Sequence, residues 1–290
     1  MQRVLITGAE GFIGRPLVAA LSPQADVLTA RSVLGRRADL LREDDRACLI
    51  DTAKADILIH LAWVTAHGKY WNAPENRDWE VASVDLFHRF YASGGRRVIG
   101  IGTCAEYDWT TGAAAFHETA PLGPHTDYGA AKVRTCEGLA TLAERHRGSW
   151  GWGRVFFSFG PGEPAARLIP AMLRAVLSAE PMDCGPGDTR RDFWDVRNLG
   201  AAIAALAQSD VLGPVNLGSG EPISFSDLAR MIEDIAGVTG VIRTGQRALG
   251  PGEPKAIVAD ATRLTQEVGF RPEIGLEQGL RDYIAAFEAT

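Results

Sequence analysis

Short apolar runs alternate with longer mixed segments through the first 160 residues of the chain. The apolar runs predict strands at 4–6, 26–30, 56–60, 97–101 and 153–158, with a short strand end at 38–40. The mixed segments predict helices that begin near residue 15 or 16 and then span 41–53, 78–93 and 126–145. Strands that alternate with helices in this way are typical of a doubly wound parallel α/β sheet.

The alternation loosens after residue 160. The Gly-Pro-Gly-Glu-Pro stretch at 160–164 breaks regular structure and marks the predicted domain boundary. Beyond it the pattern predicts helices at 165–179, 198–208 and 224–237 and a strand at 214–217. We therefore expect a first domain over 1–160 and a smaller C-terminal α/β domain over 161–290, from which segments such as 191–217 return to the first.

Three regularly spaced glycines follow the first predicted strand. Gly8 permits a sharp turn, Gly11 lets the backbone approach a phosphate, and Gly14 allows the next helix to pack against the strand. The start of that helix offers unpaired N–H groups and the positive end of its dipole to a pyrophosphate. The motif in this position predicts a dinucleotide-binding loop.

The residues after the second strand bear on the choice between NAD and NADP. In such sheets an acid at this point binds the ribose 2′-OH of NAD, whereas an arginine accommodates the 2′-phosphate of NADP. Here the strand runs into Arg31, with Arg36 and Arg37 close behind, and Asp26 stands too early to act as that acid. The sequence favours NADP and leaves NAD as the alternative.

Tyr128 and Lys132 are four residues apart on a predicted helix, so both lie on one face of it. An ammonium group near a phenol lowers the pKa of the phenol, which suits general acid–base catalysis on a carbonyl or an alcohol. Thr103, at the end of a predicted strand, supplies a second hydroxyl for the same oxygen. We predict that these three residues are catalytic and that Lys132 also holds the ribose of the cofactor.

In this order the motifs resemble the extended short-chain dehydrogenase/reductase family, which includes nucleotide-sugar epimerases, dehydratases and ketoreductases. Residues 7–14 match its TGxxGFIG motif, and Tyr128 with Lys132 matches YxxxK. Asp39-Leu40 resembles the pair that contacts adenine, and His60-Leu61-Ala62 resembles the HLAA motif. With Arg31 added, the resemblance implies a Rossmann fold with cofactor contacts at Gly8, Gly11, Phe12, Ile13, Gly14, Arg31, Asp39, Leu40, Leu61, Ala62, Tyr128 and Lys132.

The resemblance covers nearly the whole chain and extends to a substrate. Thr103 stands where the family carries its catalytic Ser/Thr, and Arg191 stands where an arginine contacts the diphosphate of the substrate. Arg167 replaces a substrate-contacting asparagine, and Glu106 is a further candidate substrate contact. Cys104-Ala105 occupies the place of the Asp-Glu pair of dehydratases, so a 4,6-dehydratase is not expected.

The implied activity is that of an NADP-preferring oxidoreductase that reduces a 4-keto-6-deoxy sugar nucleotide by hydride transfer. The alternative is a nucleotide-sugar 4-epimerase that keeps NAD bound, and a remoter one is a non-catalytic nucleotide-sensing regulator on the same fold. The family also implies a homodimer through the helices at 78–93 and 126–145.

Composition narrows the range of partners. A net charge of −6 without a basic block argues against nucleic acid. The longest apolar stretch, at 199–207, is too short to span a bilayer, so no membrane partner is expected. The four cysteines lack paired spacing, so the sequence predicts neither a disulfide framework nor a metal site. The expected compartment is the cytoplasm.

Overall fold

The computed structural model describes residues 1–66, 68–250 and 252–288. In chain order the strands are β1 (Arg3–Thr7), β2 (Asp26–Thr29), β3 (Ile57–His60), β4 (Arg97–Thr103), β5 (Ser149–Val155), β6 (Phe157–Phe159), β7 (Met182–Asp183), β8 (Arg190–Arg191), β9 (Phe193–Asp195), β10 (Gly213–Leu217), β11 (Ile223–Ser224), β12 (Ile242–Arg243) and β13 (Ala256–Ile257). The α-helices are α1 (Gly14–Leu21), α2 (Ala30–Leu34), α3 (Glu43–Ala53), α4 (Glu75–Ala92), α5 (Asp127–His146), α6 (Leu168–Ser178), α7 (Val196–Gln208), α8 (Phe225–Ala236), α9 (Thr262–Gln266) and α10 (Leu276–Glu288).

A parallel sheet of six strands, in the order β10-β5-β4-β3-β1-β2, forms the centre of the fold. The chain runs outward from β1 to β2 and then returns to β3 on the other side of β1, so the strand order reverses between β1 and β3. Helices cover both faces of this sheet. The prediction of a doubly wound parallel sheet is therefore confirmed.

The central strands are apolar along their whole length because both of their faces are buried. In β1, Val4 and Ile6 join the hydrophobic cluster that also contains Leu17 of α1 and Ile203 of α7. The residue between them, Leu5, joins the cluster on the opposite face, formed largely with residues of α3, α4 and α5. Successive side chains of a strand point to opposite faces, so one short apolar run supplies both cores.

The part of the chain after residue 160 contributes both to the main sheet and to a separate hydrophobic cluster. α7 packs beneath the main sheet and β10 forms its edge, whereas α6, α8 and α10 enclose a separate hydrophobic cluster. In the small sheets, β8 pairs with both β11 and β13, β12 pairs with β7, and β6 pairs with β9. The division of the chain into domains over 1–160 and 161–290 stays a prediction.

The prediction of a strand at 38–40 is wrong, because carboxylate side chains, and not a neighbouring strand, accept the backbone hydrogen bonds there. The backbone N–H of Asp39 donates to Oδ2 of Asp45 at 2.7 Å, and Oδ1 of Asp39 accepts from the backbone N–H of Leu41 at 3.1 Å. Short side-chain to backbone bonds of this kind compete with strand pairing. The strand predicted at 153–158 is divided into β5 and β6 around Phe156, whose backbone N–H donates to the carbonyl of Leu217 at 3.0 Å.

Gly200 allows α1 and α7 to pack closely, since a Cβ at this position would lie 2.7 Å from the backbone nitrogen of Leu17. We expect Gly200→Ala to lower the free energy of unfolding by about 1–2 kcal/mol, because overpacking outweighs the better helix propensity of alanine. Urea denaturation measures the change. The control is Gly275→Ala, where a Cβ meets no atom within 4 Å; an equal loss in both variants would contradict the steric explanation.

Candidate active site

A cleft of about 1390 Å³ opens at the carboxyl ends of the parallel strands. Its lining comes from the residues that follow β1, β3 and β4, from the first turns of α5, and from the C-terminal half of the chain. The reversal of strand order between β1 and β3 lies at this edge of the sheet, which is where open α/β sheets bind ligands. The cleft is therefore the candidate active site.

The three predicted glycines form the turn from β1 into α1. Gly8 has a φ of +73°, in the left-handed region that favours glycine. The backbone N–H of Gly11 donates to the carbonyl of Gly8 at 3.0 Å, and a Cβ on Gly14 would lie 2.2 Å from that oxygen. A Cβ on Gly8 would also lie 2.9 Å from the backbone nitrogen of Ala62. A side chain would fill this cradle, so its residues fit a pyrophosphate bound against bare backbone.

The neighbouring cofactor contacts predicted from the sequence also line the cleft. Phe12 and Ile13 belong to the glycine turn, and Leu61 and Ala62 follow β3. The backbone N–H of Leu61 donates to the carbonyl of Thr7 at 3.2 Å, which continues the pairing of β1 with β3 beyond the end of β3. The small Ala62 is thereby held against the glycine turn.

Two arginines meet one carboxylate at the outer end of the cleft. Nε of Arg31, in the first turn of α2, donates to Oε1 of Glu10 at 2.7 Å, and Nε of Arg37 donates to Oε2 at 2.9 Å. These bonds hold the pKa of Glu10 below its usual value, and the bond from Arg31 has the largest effect. Arg36 instead forms a bidentate pair with Asp45, at 2.8 and 2.7 Å, and does not line the cleft. Arg31 and Arg37 are therefore the cations available to a cofactor.

The predicted adenine contacts are divided between two surfaces. Leu40 lines the main cleft, together with Ala38. Asp39 lines an adjoining hollow of about 440 Å³ instead, beside Arg36 and Arg42. The Asp39 carboxylate does not line the main cleft. The bond from the Asp39 N–H to Asp45, and the bond from the Leu41 N–H to the Asp39 carboxylate, fix the turn in this orientation.

Thr103 and Tyr128 come together although they lie on different elements. Thr103 is the last residue of β4, and Tyr128 lies in the first turn of α5, which Thr126 caps by accepting from the N–H of Gly129 at 3.1 Å. A Cβ on Gly129 would lie only 2.4 Å from the carbonyl oxygen of Ala105, so glycine lets α5 approach the turn after β4. Both side chains line the cleft, so their hydroxyl groups are brought to one site from two elements.

Lys132 lies one helical turn beyond Tyr128 and is buried. Its Nζ donates to the carbonyl of Ile101 at 2.8 Å and stands 3.7 Å from the centroid of the Trp63 ring. A buried ammonium over an aromatic face is attracted by the ring quadrupole. Burial nevertheless lowers the pKa of Lys132 to about 7, and the negative charge of Glu106 opposes this fall.

The pKa of Tyr128 differs from the expectation that Lys132 lowers it. The ring is partly exposed to the cleft, but burial of the hydroxyl raises its pKa above that of free tyrosine, and Tyr70 and Glu106 raise it further. The neighbouring Thr103 hydroxyl lowers this pKa. The ammonium of Lys132 is engaged elsewhere, by the carbonyl of Ile101 and the ring of Trp63. Tyr128 is therefore a neutral phenol, able to donate a proton.

An aromatic wall surrounds Tyr128. The rings of Tyr70, Trp71 and Trp63 stand edge-on to that of Tyr128, with centroids 4.9, 5.8 and 6.4 Å away. Trp63 is fixed because its Nε1 donates to Oδ1 of Asn76 at 2.8 Å. The sequence from Thr65 to Asn76 is polar and aromatic and predicts a loop over the site, and its short 3₁₀ turn at 70–72 supplies two of these rings to the cleft.

Glu106 is not a substrate contact in the structure. Its side chain is fully buried, and it is absent from the lining of the cleft. The carboxylate instead accepts from the backbone N–H of Thr103 at 2.9 Å, from Nε1 of Trp152 and from Nε of Arg154 at 2.7 Å. A buried charge must find such partners, and these draw the side chain away from the cleft. The prediction for this residue was wrong.

Arg191 lines the far side of the cleft, at a point where two aromatic rings flank it. Its Nη2 donates to Oε1 of Glu253 at 2.5 Å, and its guanidinium lies 5.6 and 5.7 Å from the ring centroids of Phe157 and Phe225. Arg167 also lines the cleft, with Nε 3.2 Å from Oε1 of Glu163. Both predicted cations thus line the same cleft as the glycine turn, each beside an acid.

A model of the NAD dependent epimerase/dehydratase family matches residues 4–218. The chain belongs to this family. The predicted resemblance to extended short-chain dehydrogenases/reductases is thereby confirmed, and the family is one of NAD(P)-dependent enzymes that act on nucleotide sugars.

Members of the family resemble the chain over its whole length. It is 27% identical to the GDP-6-deoxy-D-mannose reductase of Pseudomonas aeruginosa, over 99% of this chain and 98% of that one. The UDP-N-acetylglucosamine 4-epimerase of Methanobrevibacter ruminantium, solved with UDP-N-acetylmuramic acid, has the same fold, with a TM-score of 0.88 at 23% identity over 99% and 98% of the chains. RMD of Pseudomonas aeruginosa, solved with NADPH, gives 0.85 at 24% identity over 100% and 99%.

The family motif around His60 has a structural role here. Nδ1 of His60 bonds to the hydroxyl of Thr7 at 2.7 Å and Nε2 bonds to that of Ser83 at 2.9 Å, which fixes the ends of β1 and β3 to α4. Burial lowers the pKa of His60 to about 3, so its ring stays neutral. Among residues 1–66, 68–250 and 252–288, no three acidic, histidine or cysteine side chains are grouped as a metal site would need, and no helix is long and apolar enough to cross a membrane.

Proposed function

We propose that the protein is an NADP-preferring oxidoreductase that reduces a 4-keto-6-deoxy sugar nucleotide. The observation that carries the proposal is the convergence of Thr103, Tyr128 and Lys132 on the cleft that contains the glycine turn. The similarity to a GDP-6-deoxy-D-mannose reductase over nearly the full chain supports the same reaction class.

The arrangement accounts for reduction of a carbonyl group. A reduced nicotinamide, when bound, supplies the hydride, and the glycine turn with Lys132 would hold the dinucleotide. The hydroxyls of Thr103 and Tyr128 would donate hydrogen bonds to the substrate oxygen and so polarise the carbonyl. Tyr128 would then transfer its proton to that oxygen. Its raised pKa suits this direction, because the phenol is protonated at neutral pH.

The cations at the outer end of the cleft support the choice of NADP. The side chains of Arg31 and Arg37 are 61% and 76% exposed, and the carboxylate they share is 44% exposed, so solvent and ligands reach all three. Two guanidinium groups about one carboxylate leave a net positive charge for a 2′-phosphate. At the opposite end, Arg191 and Arg167 would bind the diphosphate and sugar of the substrate.

The alternative is a nucleotide-sugar 4-epimerase that keeps NAD bound. Glu10 favours it, because this carboxylate lies among the arginines and is able to accept hydrogen bonds from a ribose 2′-OH. The shared fold with a 4-epimerase is compatible with either reaction.

We also infer a homodimer through α4 and α5, which pack side by side and leave Val81 of α4 62% exposed. The four cysteines are free, which supports a reducing cytoplasm.

The proposed reaction predicts that NADPH is consumed one-for-one with a 4-keto-6-deoxy sugar nucleotide. We expect Tyr128→Phe to lower kcat by about 10²–10⁴-fold, because only the proton donor is removed, with little change in NADPH binding. Absorbance of the reduced nicotinamide measures turnover. The control is Tyr91→Phe, which removes a buried hydroxyl bonded to Ser149 outside the cleft. Interconversion of 4-epimers without added cofactor, and without NADPH consumption, would establish the epimerase instead.

The cofactor preference predicts that Arg31→Ala weakens NADPH binding by about 1.5–3 kcal/mol, typical of a hydrogen bond to a charged group, and leaves NADH binding nearly unchanged. Fluorescence titration with both cofactors measures the ratio of their Kd values. Arg36→Ala is the matched control: its guanidinium is engaged by Asp45, so any loss should be equal for the two cofactors. Tighter NADH than NADPH binding by the unaltered protein would refute the preference.

A further inference from the structure

We propose that Glu106 is a positioning residue, whose buried carboxylate fixes the backbone of Thr103 and compensates the buried positive charges of Lys132 and Arg154. The inference rests on the proposed function, since it assigns Glu106 a part in the same reaction. It concerns a side chain that contacts neither the cleft nor any reacting atom and acts through its neighbours.

The first part of the proposal is geometric. Oε1 of Glu106 accepts from the backbone N–H of Thr103 at 2.9 Å, while the Thr103 hydroxyl accepts from the N–H of Ala105 at 3.2 Å. These reciprocal bonds form a capping box around the single turn at 104–106. The direction in which the Thr103 hydroxyl enters the cleft is thus set by the Glu106 carboxylate.

The packing around this carboxylate leaves no room for another arrangement. A Cβ on Gly102 would lie 2.1 Å from Oε1 of Glu106 and 2.2 Å from Nε1 of Trp152. Because Gly102 has no side chain, the Glu106 carboxylate and the Trp152 indole occupy the space beside it. On the other side of this residue, Lys132 holds the carbonyl of Ile101 at 2.8 Å. The end of β4 is consequently fixed by Glu106 at one residue and by Lys132 two residues earlier.

The second part of the proposal is electrostatic. Glu106, Lys132 and Arg154 are all at most 4% exposed, so their charges interact with little screening by water. Arg154 pairs directly with Glu106, at 2.7 Å, and Glu106 is the group that raises the pKa of Lys132 against the effect of burial. The other titratable groups that face this pair are Cys104 and Tyr107 of the turn after β4, Tyr128 and Cys136 of α5, and His60 at the end of β3.

The neighbours of Lys132 do not replace this carboxylate. His60 is neutral and fully hydrogen-bonded, and burial keeps the two cysteine thiols and the tyrosine phenols protonated. Without Glu106, the buried ammonium of Lys132 would lose the anion that opposes the effect of burial, and Arg154 would lose its ion-pair partner. We therefore expect the ammonium of Lys132 to lose its proton at lower pH when the carboxylate is removed.

The test is Glu106→Gln, which keeps the shape and an oxygen for the Thr103 N–H but removes the charge. A nearby opposite charge typically shifts a pKa by about 1–3 units, and Arg154 shares this carboxylate, so we expect a shift of about one unit. NADPH binding, followed by nicotinamide fluorescence, should weaken with rising pH about one unit earlier than in the unaltered protein. The alkaline limb of kcat should move equally, while the KM for the sugar nucleotide stays unchanged.

Glu106→Asp separates the two parts of the proposal. It keeps the charge but shortens the reach to Thr103, so the pH dependence should return towards that of the unaltered protein while kcat stays reduced, by up to about 10²-fold for a misplacement near 1 Å. Should the glutamine variant fail to fold, the aspartate variant decides. An undiminished kcat would overturn the proposal.

Glu118→Gln is the matched control. Glu118 is also a buried acid, it accepts from the backbone N–H of Asn216 at 2.8 Å, and it contacts neither Thr103 nor Lys132. A loss of stability without a pH shift is expected there. An equal shift in both variants, or none in Glu106→Gln, would overturn the proposal. The pH dependence is measured on NADPH binding, which does not require turnover. If the unaltered protein binds NADPH but reduces no keto sugar, the proposed function is refuted, while the role of Glu106 is still tested by the binding measurement.

Discussion

The burial of charge at the carboxyl end of β4 is the constraint on which the rest of the site depends. Lys132, Glu106 and Arg154 are almost completely excluded from solvent. Charged groups in such surroundings destabilise the fold unless they are paired and hydrogen-bonded. Their partners are the backbone of β4, the indole of Trp152 and the hydroxyl of Tyr107. The geometry of the end of β4, from which Thr103 enters the cleft, therefore depends on the pairing of these charges.

Further hydrogen bonds connect the turn after β4 to the C-terminal half of the chain. The hydroxyl of Tyr107 donates to Oδ1 of Asn216 at 2.6 Å, and Nδ2 of Asn216 donates to the carbonyl of Phe116 at 2.7 Å. An amide side chain both accepts and donates, so one residue of β10 joins two segments that precede α5. The edge strand supplied after residue 160 thus supports the turn after β4 as well as completing the sheet.

Local patterns predicted the central sheet and the convergence of Thr103, Tyr128 and Lys132. The position of a residue at a strand end, or one turn along a helix, depends only on residues close to it in sequence. They did not predict the direction of Glu106, whose partners Trp152 and Arg154 come 46 and 48 residues later in the chain. The two-residue strands β7, β8, β11, β12 and β13 were missed for a related reason. Each is too short for a periodic pattern and exists only through pairing with distant segments.

At the cofactor end of the cleft, Glu10 and the phosphate of a bound dinucleotide would interact with the same two arginines. A phosphate that reaches Arg31 and Arg37 would share them with a carboxylate that already accepts from both, at 2.7 and 2.9 Å. The free energy of discrimination then depends on how the two anions share the guanidinium groups, and not on the two arginines alone. Selectivity between the two dinucleotides is in this way adjustable from position 10, inside the glycine turn, without any change to the arginines themselves.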